Sequence, residues 1–214
     1  MDIIHLQQTL PEVFAGRSSV ESEIWHKNVI FRKGETYLIE AASGTGKSSL
    51  CNFIYGSRAD YQGIITFDEE NIKTFSIQQW VDIRKASVSM LFQDLRLFPE
   101  LTVMDNILLK NNLTGFKKKK EIKDLLEALG IADKIKAKVG KLSFGQQQRV
   151  AFLRALCQPC DFFIMDEPVS HLDDVNGEIM GRILMAEAEK QNAGVIITSI
   201  GKHIDLSFNN VFKL

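Results

Sequence analysis

The sequence has little of several features that would classify it at once. Its 214 residues include only three cysteines and four prolines, and the formal net charge is -1. No apolar run approaches the ~20 residues that a membrane span needs, and the first residues lack a basic flank followed by an apolar core. We therefore expect a soluble, unprocessed chain. The balanced charge also predicts no general attraction to nucleic acid.

The cysteines, Cys51, Cys157 and Cys160, do not form a disulfide framework in this interpretation. An odd number of thiols without an export signal is typical of a protein in a reducing cytosol. Cys157 and Cys160 form a C-x-x-C pair, which fits a redox pair or half of a zinc site. A second pair of ligands is missing, so we interpret the pair as structural thiols.

Short apolar strands alternate with helices along the chain. The predicted strands are apolar enough to be buried on both faces, and they cover 36–40, 87–92, 161–166 and 194–199. The clearest helix covers 175–191, and the lysine run at 117–120 is predicted to open a solvated helix. This alternation predicts an α/β fold around a mainly parallel sheet, with 1–214 forming a single domain.

The sequence AASGTGKSS at 41–49 stands between a predicted strand and a helix, as phosphate-binding loops do. Its glycines let backbone N–H groups surround phosphate oxygens, while Lys47 reaches the β- and γ-phosphates and Ser48 binds Mg²⁺. Ala41 replaces the first glycine of the pattern, which causes no strain if its φ is negative. A dinucleotide fingerprint is excluded because it needs glycine at Ser49. The predicted nucleotide-binding residues of the loop are Ala42, Ser43, Gly44, Thr45, Gly46, Lys47, Ser48 and Ser49.

Two acidic residues, Asp166 and Glu167, follow a buried apolar strand. A carboxylate at the end of such a strand, beside a phosphate loop, holds Mg²⁺ through its water shell, and we assign this role to Asp166. Glu167, one residue further on, orients or deprotonates the attacking water. Together with Lys47, the pair predicts a nucleoside triphosphatase.

The order of the motifs resembles that of the ATP-binding cassette family over nearly the whole chain. The phosphate loop is followed by Gln93, by LSFGQ at 142–146, by FFIMDEP and by SHLD at 170–173. The family signature is Leu-Ser-Gly-Gly-Gln, so Phe144 replaces its first glycine. The resemblance implies a P-loop ATPase with a mainly parallel core sheet, a small antiparallel β part and a helical subdomain near 94–158.

The resemblance also implies that two copies form a head-to-tail dimer with ATP. In this family the signature closes on the γ-phosphate held by the partner copy, which assigns Ser143, Gly145 and Gln146 to that site. A hydroxyl and an N–H at a helix N-terminus suit an anion; the alternative for Ser143 is a plain helix cap. Gln93 corresponds to a glutamine that contacts Mg²⁺ or the attacking water and senses the membrane partner.

Two site residues stay open. An aromatic residue well before the phosphate loop stacks on adenine in this family, and Phe14 is the candidate, with core packing as the alternative. A histidine usually follows the last core strand and contacts the γ-phosphate. Ser199 occupies its position and His203 comes four residues later. Either Ser199 replaces the histidine, or His203 enters the site.

The implied function is an ATP-hydrolysing subunit on the inner face of the cell membrane that powers separate membrane-spanning permease subunits. The stretch LFPELTVMDNI at 97–107 is similar to the lipoprotein-releasing, cell-division and macrolide-export type. An apolar patch after Gln93 is a candidate docking surface, unless its residues belong to the core: Leu95, Leu97, Phe98, Pro99 and Leu101, with exposed members of the first three as anchors. The other class is a soluble cassette ATPase. Repair types need a long coiled coil and ribosome-associated types two cassettes, so the iron–sulfur assembly type remains the alternative.

Overall fold

The computed structural model describes residues 1–16, 21–201 and 206–214. The strands are β1 (Ile3–Pro11), β2 (Asn28–Arg32), β3 (Thr36–Glu40), β4 (Tyr61–Phe67), β5 (Glu70–Asn71), β6 (Val88–Leu91), β7 (Phe162–Asp166), β8 (Gly194–Ser199) and β9 (Asn210–Lys213). The α-helices are α1 (Lys47–Ile54), α2 (Ile77–Ala86), α3 (Val103–Asn111), α4 (Lys119–Ala128), α5 (Phe144–Ala155) and α6 (Asp174–Gln191). Short 3₁₀ turns cover Glu12–Phe14, Ile72–Thr74, Ala132–Lys134 and Val139–Lys141. Within these ranges, no helix is both long and apolar enough to cross a bilayer.

The strands form two sheets. The larger has the order β6-β7-β8-β3-β9, and all its pairings are parallel; the smaller has the antiparallel order β2-β1-β4-β5. The four strands predicted from apolar runs all lie in the parallel sheet. The predicted α/β fold with a mainly parallel sheet and a small antiparallel part is confirmed.

Strand β7 shows why a continuous apolar run marks a central parallel strand. All of its residues are buried. Phe162 and Ile164 pack into a core shared with the antiparallel sheet and α1, whereas Phe163 and Met165 pack into a core shared with α3, α5 and α6. Successive side chains point to opposite faces of a strand, so a strand covered on both faces needs apolar residues at every position. The covered sheet fixes the carboxyl end of β7, which carries the acidic pair.

The lysine run at 117–120 is less exposed than the sequence predicts. Helix α4 begins only at Lys119, and Lys117 is 5% exposed. Its Nζ donates a 2.6 Å hydrogen bond to the buried Glu187 of α6. Burial alone would raise the pKa of Glu187, but hydrogen bonds from Lys117 and Lys190 outweigh it and lower that pKa. The prediction of a fully solvated run was therefore wrong at Lys117, where an ion pair fastens the start of α4 to the core.

The three cysteines are free and buried. Burial raises the pKa of the Cys157 thiol to about 12 and raises the pKa values of Cys51 and Cys160 well above the usual range. Because only the thiolate is a good nucleophile and metal ligand, these protonated thiols have the character of small apolar side chains. The interpretation of Cys157 and Cys160 as structural agrees with their burial.

Candidate active site

The glycine-rich loop connects β3 to α1 and is held by aromatic side chains. Gly46 caps α1 with a left-handed φ of 102°, and a Cβ there would lie 3.1 Å from atoms of both Phe14 and Trp25. The buried Trp25 also donates its Nε1–H to the carbonyl oxygen of Thr45 at 3.0 Å. Only glycine satisfies both the φ value and the close approach of the rings. Ala41 is not among the described residues with positive φ, so its methyl group introduces no backbone strain.

Lys47 is buried at the start of α1 and points back into the loop. Its Nζ donates hydrogen bonds to the carbonyl oxygens of Ala41 at 3.2 Å and Ala42 at 2.8 Å. The same Nζ lies 3.7 Å from Oε1 of Glu167. The ammonium group is therefore fixed between the loop and the acidic pair. Its positive charge adds to that of the N-terminus of α1, where anions bind.

The side chain of Gln93 connects the loop to the acidic pair. Ser48 Oγ donates to Oε1 of Gln93 at 3.2 Å, and Gln93 Nε2 donates to Oε2 of Glu167 at 3.3 Å. Glu167 has a left-handed φ of 51°. Such a conformation costs a non-glycine residue about 1–3 kcal/mol and is found most often at functional sites. Gln93 thus lies between the two residues to which the sequence assigns metal binding and base catalysis.

Thr198 on β8 positions both acids, and the sequence reasoning missed it. Its Oγ1 donates a 2.7 Å hydrogen bond to Oδ1 of Asp166 and accepts a 3.2 Å hydrogen bond from the backbone N–H of Glu167. Thr198 is fully buried and lies directly opposite Asp166 in the parallel pairing of β7 with β8. A threonine in an otherwise apolar strand was the available signal, because a buried hydroxyl needs partners.

A cavity of about 390 Å³ opens in front of these groups. Its lining combines residues from the loop, from the acidic pair and from three other segments: Val13, Phe14, Ser43, Gly44, Gly46, Lys47, Ser48, Ser49, Gln93, Glu167 and Ile200. Asp166 lines a smaller neighbouring cavity together with Ser48 and Gln93. Ala42 and Thr45 act within the loop, where Thr45 Oγ1 donates to the Ala42 carbonyl oxygen at 2.9 Å. The structure therefore brings most of the predicted site residues to one place.

The environment of Phe14 has features of both roles that the sequence left open, adenine stacking and core packing. It lines the cavity, yet only 5% of it is exposed and it packs into the core cluster around Trp25. Its neighbour Val13 also lines the cavity and is 66% exposed. Phe14 therefore supports the floor of the loop and presents only a small part of its surface to the cavity.

The predicted signature residues lie elsewhere. Ser143 caps α5, where its Oγ accepts from the N–H of Gln146 and the Gln146 Oε1 accepts from the N–H of Ser143. A Cβ at Gly145 would lie 3.2 Å from Leu172 Cδ2, so the start of α5 packs closely on the loop 168–173. Among the described residues that line the 390 Å³ cavity, none belongs to 142–146. The signature thus has a cap geometry and, within the described part of the chain, does not line the cavity beside the glycine-rich loop.

Gln148 connects α5 to the acidic pair, and the sequence reasoning also missed it. Its Nε2 donates to the carbonyl oxygens of Glu167 at 3.3 Å and Pro168 at 2.8 Å. From the other side, Ser170 Oγ donates to the Glu167 carbonyl oxygen at 3.2 Å. The backbone of the proposed base is consequently held by the helix that begins at the signature. The three consecutive glutamines of GQQQ gave no local sign of which one is buried.

Ser199 ends β8 and occupies the position where the family usually has a histidine. Ser199 is 1% exposed, and its carbonyl oxygen accepts a hydrogen bond from the N–H of Ala41 at 3.1 Å. Ile200, 45% exposed, lines the 390 Å³ cavity instead. His203 lies outside the described residues. The buried position of Ser199 gives its side chain little access to a ligand in the cavity.

Comparison with known proteins identifies the family. The model of the family described as ABC transporter matches residues 26–170, more than half of the chain. The uncharacterized ABC transporter ATP-binding protein YclH of Bacillus subtilis is 33% identical over 181 residues, covering 83% of this chain and 79% of its own. The lipoprotein-releasing system ATP-binding protein LolD of Shewanella denitrificans is 28% identical over 183 residues, covering 84% and 78%.

The fold also matches solved structures. A dimeric post-hydrolysis state of the ATP-binding cassette MJ0796, bound to ADP and Pi, aligns with a TM-score of 0.74 and 26% identity over 92% of this chain and 87% of that chain. A second dimeric structure of MJ0796, described as a bacterial ABC transporter cassette, aligns with a TM-score of 0.74 and 28% identity over 91% and 87%. This chain therefore belongs to the ABC transporter family and is one of its ATPase cassettes.

Proposed function

We propose that this chain hydrolyses ATP with Mg²⁺ at the 390 Å³ cavity, as one half of a head-to-tail dimer that powers a membrane partner. The observation that carries the proposal is the hydrogen-bonded connection from Ser48 through Gln93 to Glu167, beside the buried Lys47. A metal ligand, a water-orienting amide, a base and a phosphate-binding cation are the groups that phosphoryl transfer requires.

In the proposed reaction Glu167 accepts a proton from the attacking water, whose oxygen bonds to the γ-phosphorus while the bond to the ADP oxygen breaks. Lys47 compensates the charge on the phosphate oxygens. Lys47 Nζ lies 3.7 Å from Oε1 of Glu167, which places the phosphate-binding cation beside the base.

The oxygen donors near Asp166 fit Mg²⁺. Ser48, Gln93 and Asp166 line one cavity and supply a hydroxyl, an amide oxygen and a carboxylate, which are hard ligands of the kind that Mg²⁺ prefers. Thr198 orients the carboxylate of Asp166 by its 2.7 Å hydrogen bond. The bound metal ion would neutralise charge on the β- and γ-phosphates. We assign the metal to these three residues.

The remaining nucleotide contacts follow from the loop and from a second copy. The loop residues 42–49 surround the phosphates, and Phe14 presents its exposed edge to the base of the nucleotide. Ser143, Gly145 and Gln146 at the N-terminus of α5 close on the γ-phosphate of the partner copy. The dimeric structures of the related cassette support this arrangement. In this proposal 1–214 works as one nucleotide-binding domain, with 94–158 as its helical subdomain.

Replacing Glu167, the proposed general base, tests the hydrolysis and the dimer together. Glu167→Gln removes the proton acceptor but keeps the size and most contacts of the side chain, so we expect ATP turnover to be lost and an ATP-bound dimer to accumulate. Sizing chromatography with saturating ATP and Mg²⁺ measures the dimer, and phosphate release measures turnover. A variant that stays monomeric while the wild type dimerises contradicts the shared site.

The membrane partner is proposed to dock at a second cavity of about 220 Å³. Of the candidate patch, Phe98 lines this cavity and is 55% exposed, Leu97 is half-buried, and Leu95 is 4% exposed and belongs to the core. Leu95 is therefore unavailable as an anchor. Lys110 and Arg154 also line the cavity. A docking segment with both apolar and acidic side chains fits this lining, because the two cations need a counter-charge.

The electrostatics of the second cavity strengthen this choice. Burial, together with nearby Arg154 and Arg84, lowers the pKa of Lys110 to about 8. An arriving carboxylate would relieve this repulsion. Arg154 also donates hydrogen bonds to the carbonyl oxygens of Leu95 and Arg96, two consecutive residues with left-handed φ. These residues follow Gln93 closely, so Arg154 connects the docking cavity to the nucleotide site.

The chain is proposed to work on the cytoplasmic face of a membrane, in a system of the lipoprotein-releasing, cell-division or macrolide-export type that the stretch at 97–107 resembles. One relative is named as the ATP-binding protein of a lipoprotein-releasing system. Phe98→Glu should remove the protein from the membrane fraction that contains its partner, because a carboxylate replaces the exposed apolar anchor. Leu113→Glu is the matched control, since Leu113 is 53% exposed and does not line the cavity. Full sedimentation of a folded Phe98→Glu variant with the membrane complex would place the docking site elsewhere.

A further inference from the structure

An exposed aromatic residue, Phe144, stands at the first position of α5. It is 46% exposed, and its ring contacts the ring of His171 edge-on, with centroids 4.6 Å apart and an interplanar angle of 78°. Behind it, Gly145 packs on Leu172 of the same loop. The chain thus fixes one side of the Phe144 ring and leaves the other side exposed, at the position where the family signature has a glycine.

Two other exposed apolar residues lie at the mouth of the nucleotide cavity. Val13 is 66% exposed and follows β1, while Ile200 is 45% exposed and follows β8; both line the cavity. Phosphate groups bind to N–H donors and cations, so neither residue has a use in holding phosphate. We call Val13 and Ile200 the apolar rim. Since both side chains line the same cavity, they offer one small apolar surface beside its polar groups.

We propose that Phe144 of each copy packs against the apolar rim, Val13 and Ile200, of the other copy. This inference rests on the head-to-tail dimer of the proposed function, in which the signature of one chain closes on the cavity of its partner. Phe144 adjoins the signature serine, and the rim adjoins the cavity, so the same closure brings them together. Two-fold symmetry forms the contact twice.

The chemistry of the two surfaces favours a second copy as the occupant. An aromatic side chain held by its own chain loses little conformational entropy on binding, and such residues are common energetic centres of interfaces. The formal net charge of -1 gives little repulsion between copies. The related cassette structures are dimers. Phe144 then supplies an apolar contact to the closed dimer, beside the polar contacts of Ser143 with phosphate.

The experiment measures the dimer dissociation constant of the Glu167→Gln protein by sedimentation velocity at saturating ATP and Mg²⁺. We expect Phe144→Ala in this background to raise the dissociation constant at least ~10-fold, which corresponds to about 1.4 kcal/mol. Ile200→Ser should also raise it. Ile77→Ser is the control, because Ile77 is 85% exposed on α2 and lies outside both surfaces, and it should leave the constant unchanged.

A charge exchange tests the pairing itself. Phe144→Lys and Ile200→Glu should each weaken the dimer, and the double variant should recover at least ~10-fold of the combined loss, because opposite charges then meet across the interface. A purely structural role of Phe144 within its own chain predicts additive losses. Binding of a fluorescent ATP analogue to dilute Phe144→Ala monomer should match the parent protein, which separates dimer closure from nucleotide affinity.

The outcomes are distinct. If the Glu167→Gln parent remains monomeric with ATP, the proposed dimer fails and this contact fails with it. If the parent dimerises and Phe144→Ala changes the dissociation constant less than twofold, the dimer stands and the aromatic contact is wrong. Additive losses in the charge exchange would contradict the pairing of Phe144 with Val13 and Ile200.

Discussion

The helix N-termini at α1 and at α5 are both proposed to contact phosphate, and they differ in how their polar groups are used. At α1, Lys47 is 4% exposed and points toward Glu167, and Ser48 bonds to Gln93. At α5, Ser143 is exposed, and the described hydrogen bonds of its Oγ and N–H go to Gln146 in the adjoining turn. At the first site the polar groups contact residues that are distant in the sequence. At the second site Ser143 is exposed and bonds only within its own helical turn, among the described hydrogen bonds.

In the proposed dimer, this difference explains how one chain carries half of a shared site. Groups that must bind a ligand tightly within one chain are fixed by long-range contacts from β7, β8 and the segment around Gln93. Groups that meet a ligand brought by another molecule need only a rigid local frame, which a capping box supplies. Gln148 joins the two, since it lies on α5 and holds the backbone of Glu167 and Pro168.

The largest effect is expected from a change at Ser143, which alters the site at the N-terminus of α5 alone. Ser143→Asp keeps a side-chain cap for α5 but places a negative charge where the partner's γ-phosphate is proposed to lie. We expect turnover to fall by at least ~100-fold, or about 2.7 kcal/mol of transition-state stabilisation, with ATP binding to the monomer unchanged. Ser143→Asn is the control, because it caps equally well without the charge, and it should retain far more activity. Equal losses in both variants would mean that the cap geometry, rather than charge, matters.

An intermediate effect is expected from a change at Thr198, which supports the acidic pair beside the phosphate loop. Thr198→Val preserves shape but removes the hydrogen bonds to Asp166 and from the N–H of Glu167. Turnover should drop ~10-fold, and the free energy of unfolding should fall by about 1–3 kcal/mol, because buried polar groups lose their partner. Urea unfolding and phosphate release measure the two effects. Thr198→Ser, which keeps the hydroxyl, should stay close to the wild type; an equally impaired serine variant would assign the loss to packing.

The smallest expected effect concerns the absent histidine. Because Ser199 is buried and Ile200 lines the cavity, we expect slow basal hydrolysis that does not depend on a histidine. His203→Ala should then change turnover less than ~2-fold. A loss of at least ~10-fold, about 1.4 kcal/mol, would show instead that His203 enters the site. Steady-state turnover of the two proteins decides between these outcomes.

The sequence predicted some elements well for reasons that are local. The strands at 36–40, 161–166 and 194–199 agree with β3, β7 and β8, because a strand buried on both faces must be apolar throughout. The phosphate loop was equally clear, since glycine spacing, Lys47 and the following helix occur within a few residues. By contrast, the exposure of Lys117 and the availability of Leu95 were not predictable, because each depends on a segment distant in sequence.

The sequence by itself determined the nature of the chemistry: a phosphate loop, an acidic pair at a strand end, and a signature at a helix start, each encoded by neighbouring residues. The tertiary structure decided which other side chains support that chemistry. Thr198 reaches Asp166 only because β7 and β8 are adjacent in parallel register, and Trp25 reaches Thr45 only because its segment folds over the loop. Strand order and loop packing follow from the burial of whole apolar faces, and so no local pattern of residues specifies them.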